Sequence, residues 1–139
     1  MGDTIREVMT PNPLAVDAQA SLVEAAQAMR SNDVGDVLVT EDGRLRGILT
    51  DRDIVVRGIA MGGSPTETRT GDCCSPEIKT VPADAPTDRA VQIMRVHALR
   101  RLPVVDGNQL VGMVSIGDLA QSEDPQSALA DISAAAPNQ

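Results

Sequence analysis

Aromatic side chains are missing altogether: the 139 residues include no Trp, Tyr or Phe. A core must be assembled from Val, Ile, Leu, Met and Ala, and a planar base bound here has only aliphatic side chains to lie against. Histidine is reduced to His97. It falls on a helical stretch with no serine or cysteine nucleophile motif beside it, and neither a P-loop nor a dinucleotide glycine fingerprint occurs, so an enzyme is not expected. The only cysteines, Cys73 and Cys74, are adjacent, which gives neither a disulfide framework nor a metal-ligand spacing. No metal site is expected. Positive charge is scarce, 12 Lys and Arg against 20 Asp and Glu for a net charge of −8, which opposes binding to nucleic acid or to anionic membranes. No apolar run approaches the ~20 residues of a membrane span, and residues 1–10 lack the basic start and apolar stretch of an export signal, so a cytoplasmic protein is expected.

What the chain does contain is a copy of itself. Met29 and Arg30 fall on Met94 and Arg95 at an offset of 94 − 29 = 65, without gaps. At that offset Pro11 lands on Pro76, Val16 on Val81, Ala25 on Ala90, Val39 on Val104, Leu45 on Leu110, Gly47 on Gly112 and Asp53 on Asp118. Polar positions repeat as well as apolar ones, Thr10 with Ser75 and Thr50 with Ser115, which argues for duplication rather than chance periodicity.

Each copy reads as β-α-β-β-α. A short apolar stretch, Leu14–Val16 or Thr80–Val81, precedes a helix whose Leu22, Ala25, Ala26 and Met29 recur at helical spacing. Ser21 and Glu24 make a capping-box pattern at its start, and Pro86 opens the second-copy helix, Thr87–His97. Strands follow at 37–40 and 45–50, and again at 102–105 and 110–115, around turn residues that include Asp42–Gly43 and Asp106–Gly107. A second helix is expected over Asp51–Met61, stopped by Gly62 and Gly63. The division expected is repeat 1 over 1–61, a linker over 62–69, repeat 2 over 70–121 and a tail over 122–139 with a short helix at 127–135. One such unit cannot bury both faces of a three-stranded sheet, so the fold class expected is α+β, two repeats packed sheet to sheet with pseudo-twofold symmetry.

The sharpest local pattern is Gly47, two apolar residues, Thr50, two spacers and Asp53, echoed by Gly112, Ser115 and Asp118. Both stand at a strand-to-helix junction. Ser/Thr-x-x-Asp is a helix capping box, and that reading suffices for the pattern alone. The same geometry suits a ligand: hydroxyl and free N–H groups for a phosphate, a carboxylate one turn on for a ribose diol, and a glycine that lets the ligand approach the strand.

At these residues, and at Arg100–Asp106, the chain resembles the cystathionine-β-synthase (CBS) domain family over residues 5–120, as the tandem pair called a Bateman module. With no enzyme or channel domain attached, it is similar to the stand-alone CBS pairs of actinobacteria. The resemblance implies a regulatory adenosyl ligand, AMP, ADP, ATP, S-adenosylmethionine or NAD, with no cofactor required. Carried over residue by residue, it implies ribose binding by Asp53 and Asp118 and phosphate binding by Thr50, Ser115, Arg100 and Arg101. It implies an adenine pocket of Val16 and Val81 with Ile48 and Met113. The copies differ, because Gly35 and Asp36 stand where the second copy has Arg100 and Arg101. One competent site is therefore expected, using Asp118, Ser115 and Arg100, with Arg52 partly rescuing the other.

Cys73 and Cys74 replace Val8 and Met9 of the first copy, so packing is their first role and thiol redox sensing the second. Helices carrying Ile54, Val55, Ile59, Val91, Met94 and Leu99 offer more apolar surface than one small sheet needs, which points to a homodimer. The working mechanism is a ligand-biased change of shape transmitted to an unknown client protein. The alternative is a dimeric interaction module that needs no ligand.

Overall fold

The computed structural model describes residues 3–122; the helix expected over 127–135 lies outside the described residues. In chain order the elements are α1 (Ile5–Val8), β1 (Thr10–Pro11), β2 (Ala15–Asp17), α2 (Leu22–Asn32), β3 (Asp36–Glu41), β4 (Arg44–Thr50) and α3 (Asp51–Asp53), which runs on as a π-helix over Ile54–Ile59. The second half holds α4 (Thr70–Cys73), β5 (Val81–Pro82), α5 (Thr87–His97), β6 (Arg101–Asp106), β7 (Gln109–Ser115) and α6 (Ile116–Ser122). The class is α+β. The described residues form two compact units, one of residues 14–78 and one that joins residues 3–13 to 79–122.

In the first-copy unit β2 runs parallel to β3, and β3 pairs antiparallel with β4. The hairpin turns on Asp42 and Gly43, both at positive φ (55° and 79°), the backbone that a two-residue turn needs to match the twist of its strands. Ser21 caps α2 by accepting a hydrogen bond from the Glu24 amide at 3.2 Å. The apolar face of α2 then buries Leu22, Ala25 and Met29 against Val37, Val39 and Leu49, with Ile54 and Cys73 in the same cluster. The backbone departs from the expected α-helix beyond Asp53, where it widens into the π-helix. Gly58 on that helix packs so closely on Leu22 that a side chain there would collide with it.

The second-copy unit repeats the plan, with β5 parallel to β6 and β6 antiparallel to β7. Its core joins Val81, Ala90, Val91, Met94, Leu102, Val104, Val114 and Leu119 to Ile5 from the start of the chain. Ile54, Val91 and Met94, expected to contribute spare surface, are instead buried; Met94 is fully enclosed. The reason is direct: these residues sit on the inner stripe of their helices, while Val55, Val56, Ile59 and Val96 take the outer one.

Each unit is completed by the segment that precedes the other repeat. In the second-copy unit the Ile5 and Arg6 amides donate to Ala85 and Ala83 carbonyls at 2.9 Å, and β1 adds antiparallel to β7 with Thr10 opposite Met113. In the first-copy unit the Thr70 and Gly71 amides donate to Ala20 and Ala18 carbonyls at 2.8 and 2.9 Å, and Ser75 and Ile48 exchange two backbone bonds at 2.8 and 3.0 Å. Residues 62–69 hold to this unit too, through Leu22 N to the Thr68 carbonyl at 3.0 Å and Val23 N to the Pro65 carbonyl at 3.1 Å. α1 and α4 are separated by the repeat offset, 70 − 5 = 65, so the arrangement is part of the duplication.

This explains the repeated glycines differently from the sequence reading. A β-carbon on Gly47 would drive into the Ser75 carbonyl, and one on Gly112 would meet the Met9 sulfur and the Thr10 carbonyl oxygen, the latter at 3.0 Å. The space beside each strand is filled by protein, backbone at Gly47 and the Met9 side chain with the Thr10 backbone at Gly112, rather than kept for a ligand. Gly47→Ala and Gly112→Ala should therefore each cost about 1–3 kcal/mol of stability in urea unfolding, as overpacked cores do. Gly117→Ala, on exposed helix with nothing nearer its β-carbon than Ser115 Oγ at 3.7 Å, should stabilise by about 0.5–1 kcal/mol.

Candidate functional site

The two strand-to-helix junctions have the same hydrogen bonds. At the first, the Asp53 amide donates to Thr50 Oγ1 at 3.1 Å, and the Thr50 amide donates to Asp53 Oδ2 at 2.9 Å. At the second, the Asp118 amide donates to Ser115 Oγ at 3.2 Å, and the Ser115 amide donates to Asp118 Oδ2 at 2.9 Å. Both are reciprocal capping boxes, each satisfying two amides that a helix start leaves without partners. The box uses Oδ2 of each aspartate and leaves Oδ1 outside it.

A second bond repeats as well. The amide after the hydroxyl residue reaches the neighbouring strand's entry, Asp51 N to the Gly35 carbonyl at 2.9 Å and Ile116 N to the Arg100 carbonyl at 3.0 Å. The residue directly across the hairpin from the hydroxyl is Asp36 opposite Thr50 and Arg101 opposite Ser115. The structure thus brings Arg100 and Arg101 to the Ser115–Asp118 junction, and at the other junction puts an acid in the corresponding place. Arg52 lies exposed in the first turn after Thr50.

The apolar candidates differ more. Val16 is half-buried on β2 opposite Val39, and Ile48 and Met113 are half-buried on β4 and β7. Val81 is fully enclosed in the second-copy core opposite Val104 and offers no surface. A shallow groove of about 350 Å³ is lined by Ala26, Met29, Arg30, Asp51, Ile54 and Val55, and takes in none of the candidate residues.

One residue near the first junction was not singled out in the sequence. Arg57 places Nε 4.0 Å from Asp53 Oδ1 and donates from Nη1 to the Cys73 carbonyl at 3.3 Å. The i, i+4 spacing of Asp53 and Arg57 on a helix is the signal that could have found it.

Cys73 is buried in the first-copy core, and Cys74 is half-buried with Sγ 3.7 Å from the Gly71 carbonyl. Burial pushes both thiols up from their ordinary value, with Asp72 adding to the rise at Cys73. That is opposite to the lowered value of a reactive cysteine.

The CBS domain family model matches residues 5–58 and 71–123. The CBS domain-containing protein YhcV of Bacillus subtilis is 38% identical over 134 residues, 94% of this chain and 95% of its own. Hypoxic response protein 1 of Mycobacterium tuberculosis is 37% identical over 119 residues, 85% of this chain and 83% of its own. A crystal structure of hypoxic response protein I with two coordinated zinc ions has a TM-score of 0.73 at 37% identity, over 86% of this chain and 98% of that one. CBSX2, solved in complex with AMP, shares the fold with a TM-score of 0.70 at 24% identity, over 86% of this chain and 95% of its own.

Among the described residues no group of three or more His, Cys, Asp or Glu side chains gathers as a metal cage. His97, Cys73 and Cys74 are the chain's only imidazole and thiol groups, one ligand short of a four-coordinate zinc site made of histidine and thiolate ligands.

The thiols give a prediction with a definite sign. Because their values are raised in the folded protein, the contribution they make to stability is complete below the unfolded thiol range, ~8.5, and is lost as pH rises from there through the raised folded values. Stability should therefore fall on the alkaline side, less steeply in Cys73→Ala measured against its own value at neutral pH. In native protein at neutral pH a thiol reagent should label Cys73 only on unfolding; rapid labelling of Cys73 would contradict its place in the core.

Proposed function

The chain belongs to the CBS domain family, as a tandem pair of CBS domains, and from that premise we propose that it is a regulatory module, not an enzyme, that binds an adenosyl ligand at its strand-to-helix junctions. The observation that carries the reading is the duplicated box. Two aspartates are held rigidly by Oδ2, so that Oδ1 of each has a fixed position from which to accept a ribose hydroxyl. In the second copy Asp118 takes the ribose, Ser115 the phosphate side, and Arg100 and Arg101 add the positive charge a phosphate needs. The base lies against Met113, with Val81 behind it as part of the core. In the first copy Asp53, Thr50 and Arg52 take the equivalent roles, with Val16 and Ile48 toward the base.

The ligand class is supported by the fold itself, which in CBSX2 accommodates AMP. AMP, ADP and ATP come first because of the arginines, ahead of S-adenosylmethionine and NAD. Ligand binding biases the shape of the module, and a client protein reads the change. Redox sensing by Cys73 and Cys74 is disfavoured by the burial of Cys73 and the raised thiols.

Self-association has its own observation. Val55, Val56, Ile59 and Met61 are all exposed along one helix and its end, an apolar strip that a second copy would cover. We therefore include a homodimer in the proposal; a monomer by light scattering at micromolar concentration would remove it.

Calorimetric titration tests the ligand reading, since the chain has no aromatic fluorophore. Asp118→Ala should weaken the tighter binding of AMP or ATP by about tenfold to a hundredfold, the worth of a charge-assisted hydrogen bond. Equal binding by wild type, Asp118→Ala and Asp53→Ala would remove the assignment.

A further inference from the structure

The two aspartates are alike in the capping box and unlike in what stands beyond it. Asp53 Oδ2 is taken by the Thr50 amide, and Oδ1 faces the Arg57 guanidinium at 4.0 Å. The Asp53 side chain is 15% exposed and that of Arg57 is 52% exposed, so the pair is partly screened by solvent. Arg57 is also anchored at its other end, by the bond to the Cys73 carbonyl in the segment that completes the first-copy unit. Four residues beyond Asp118, the corresponding position is Ser122, which carries no charge.

We infer that Arg57 is an internal competitor for Asp53, holding the carboxylate oxygen that a ribose diol would take and so setting the first copy to bind adenosyl ligands more weakly than the second. The inference rests on the nucleotide reading above. At 4.0 Å the guanidinium attracts Oδ1 by charge without a hydrogen bond to it, so a ribose diol donating to Oδ1 competes with that ion pair. For a ligand to enter, the Arg57 side chain must give up Asp53, and it is held back from doing so by its tie to Cys73. The opposite role, Arg57 as a phosphate ligand, would require the guanidinium to leave both of its present partners.

This gives the unequal copies a second origin beside the exchange of Asp36 for Arg101. Arg101 strengthens one site from across the hairpin, and Arg57 weakens the other from within its own helix. It also links the first copy to the Thr70–Ser75 segment, since a displacement of Cys73 moves the anchor of Arg57.

The test is a titration of AMP and ATP into four full-length proteins: wild type, Asp118→Ala, Asp118→Ala with Arg57→Gln, and Asp118→Ala with Arg57→Lys. Removing the second-copy acid isolates the first copy. Arg57→Gln in that background should tighten binding by roughly twofold to fivefold, the range of a partly exposed ion pair. Arg57→Lys, which keeps the charge, should stay near Asp118→Ala alone and controls for damage to the fold. Unchanged or weaker binding by the glutamine variant would overturn the competitor role, and weaker binding would assign Arg57 to the phosphate. If wild type takes up neither nucleotide, the nucleotide reading itself fails and the inference falls with it, a result the wild-type arm alone identifies.

Discussion

A single reciprocal pair of hydrogen bonds, made once in each copy, fixes both the fold and the candidate chemistry. Thr50 with Asp53, and Ser115 with Asp118, end a strand and begin a helix within four residues. Without the box the amides at each helix start would lose their partners, at about 0.5–2 kcal/mol for each cap. With it, the carboxylate is locked into one rotamer, which is the preorganisation a binding group needs. Capping and binding are therefore compatible uses of one residue, because a carboxylate has two oxygens and the cap consumes one.

The second constraint is the exchange of completing segments. Ile5 lies in the second-copy core and Thr70 in the corresponding place of the first-copy unit, with Thr70 Oγ1 donating to the Asp17 carbonyl at 2.7 Å. Neither repeat, cut out by its sequence boundaries, carries its own edge segment. The pairing of Ser75 with Ile48 and of Thr10 with Met113 sets these segments directly on the strands that end in the two boxes. Gly47 and Gly112 are the residues that make the approach possible, and their side-chain-free positions serve packing between backbones.

Much of this was legible in the sequence, and the limits have physical causes. The duplication at an offset of 65 gave the order of strands and helices, and α5 has the expected bounds, Thr87–His97. The junction motif was legible because capping is local chemistry, four residues long. The segment exchange was not, since it joins residues far apart in the chain, Ile5 to Ala85 and Thr10 to Met113 in one unit and Ala20 to Thr70 and Ile48 to Ser75 in the other, and hydrophobic periodicity carries no information on pairing at such range. The π-helix escaped as well: the pattern Ile54, Val55, Ile59 reads as helical, and apolar spacing does not separate a widened turn from an α-helical one. The family resemblance placed Val16 and Val81 alike in the adenine pocket, yet Val81 is enclosed where Val16 is half-buried.

The central claim is that the aspartate of the box, fixed by one oxygen, receives a ribose with the other. Backbone amide shifts measured by nuclear magnetic resonance during an AMP titration address it most directly. The account predicts that the largest shifts fall on Ser115–Asp118 and on Arg100 and Arg101, with a later and weaker response at Thr50–Asp53. Saturable shifts confined to other surfaces, with both junctions unmoved, would contradict it.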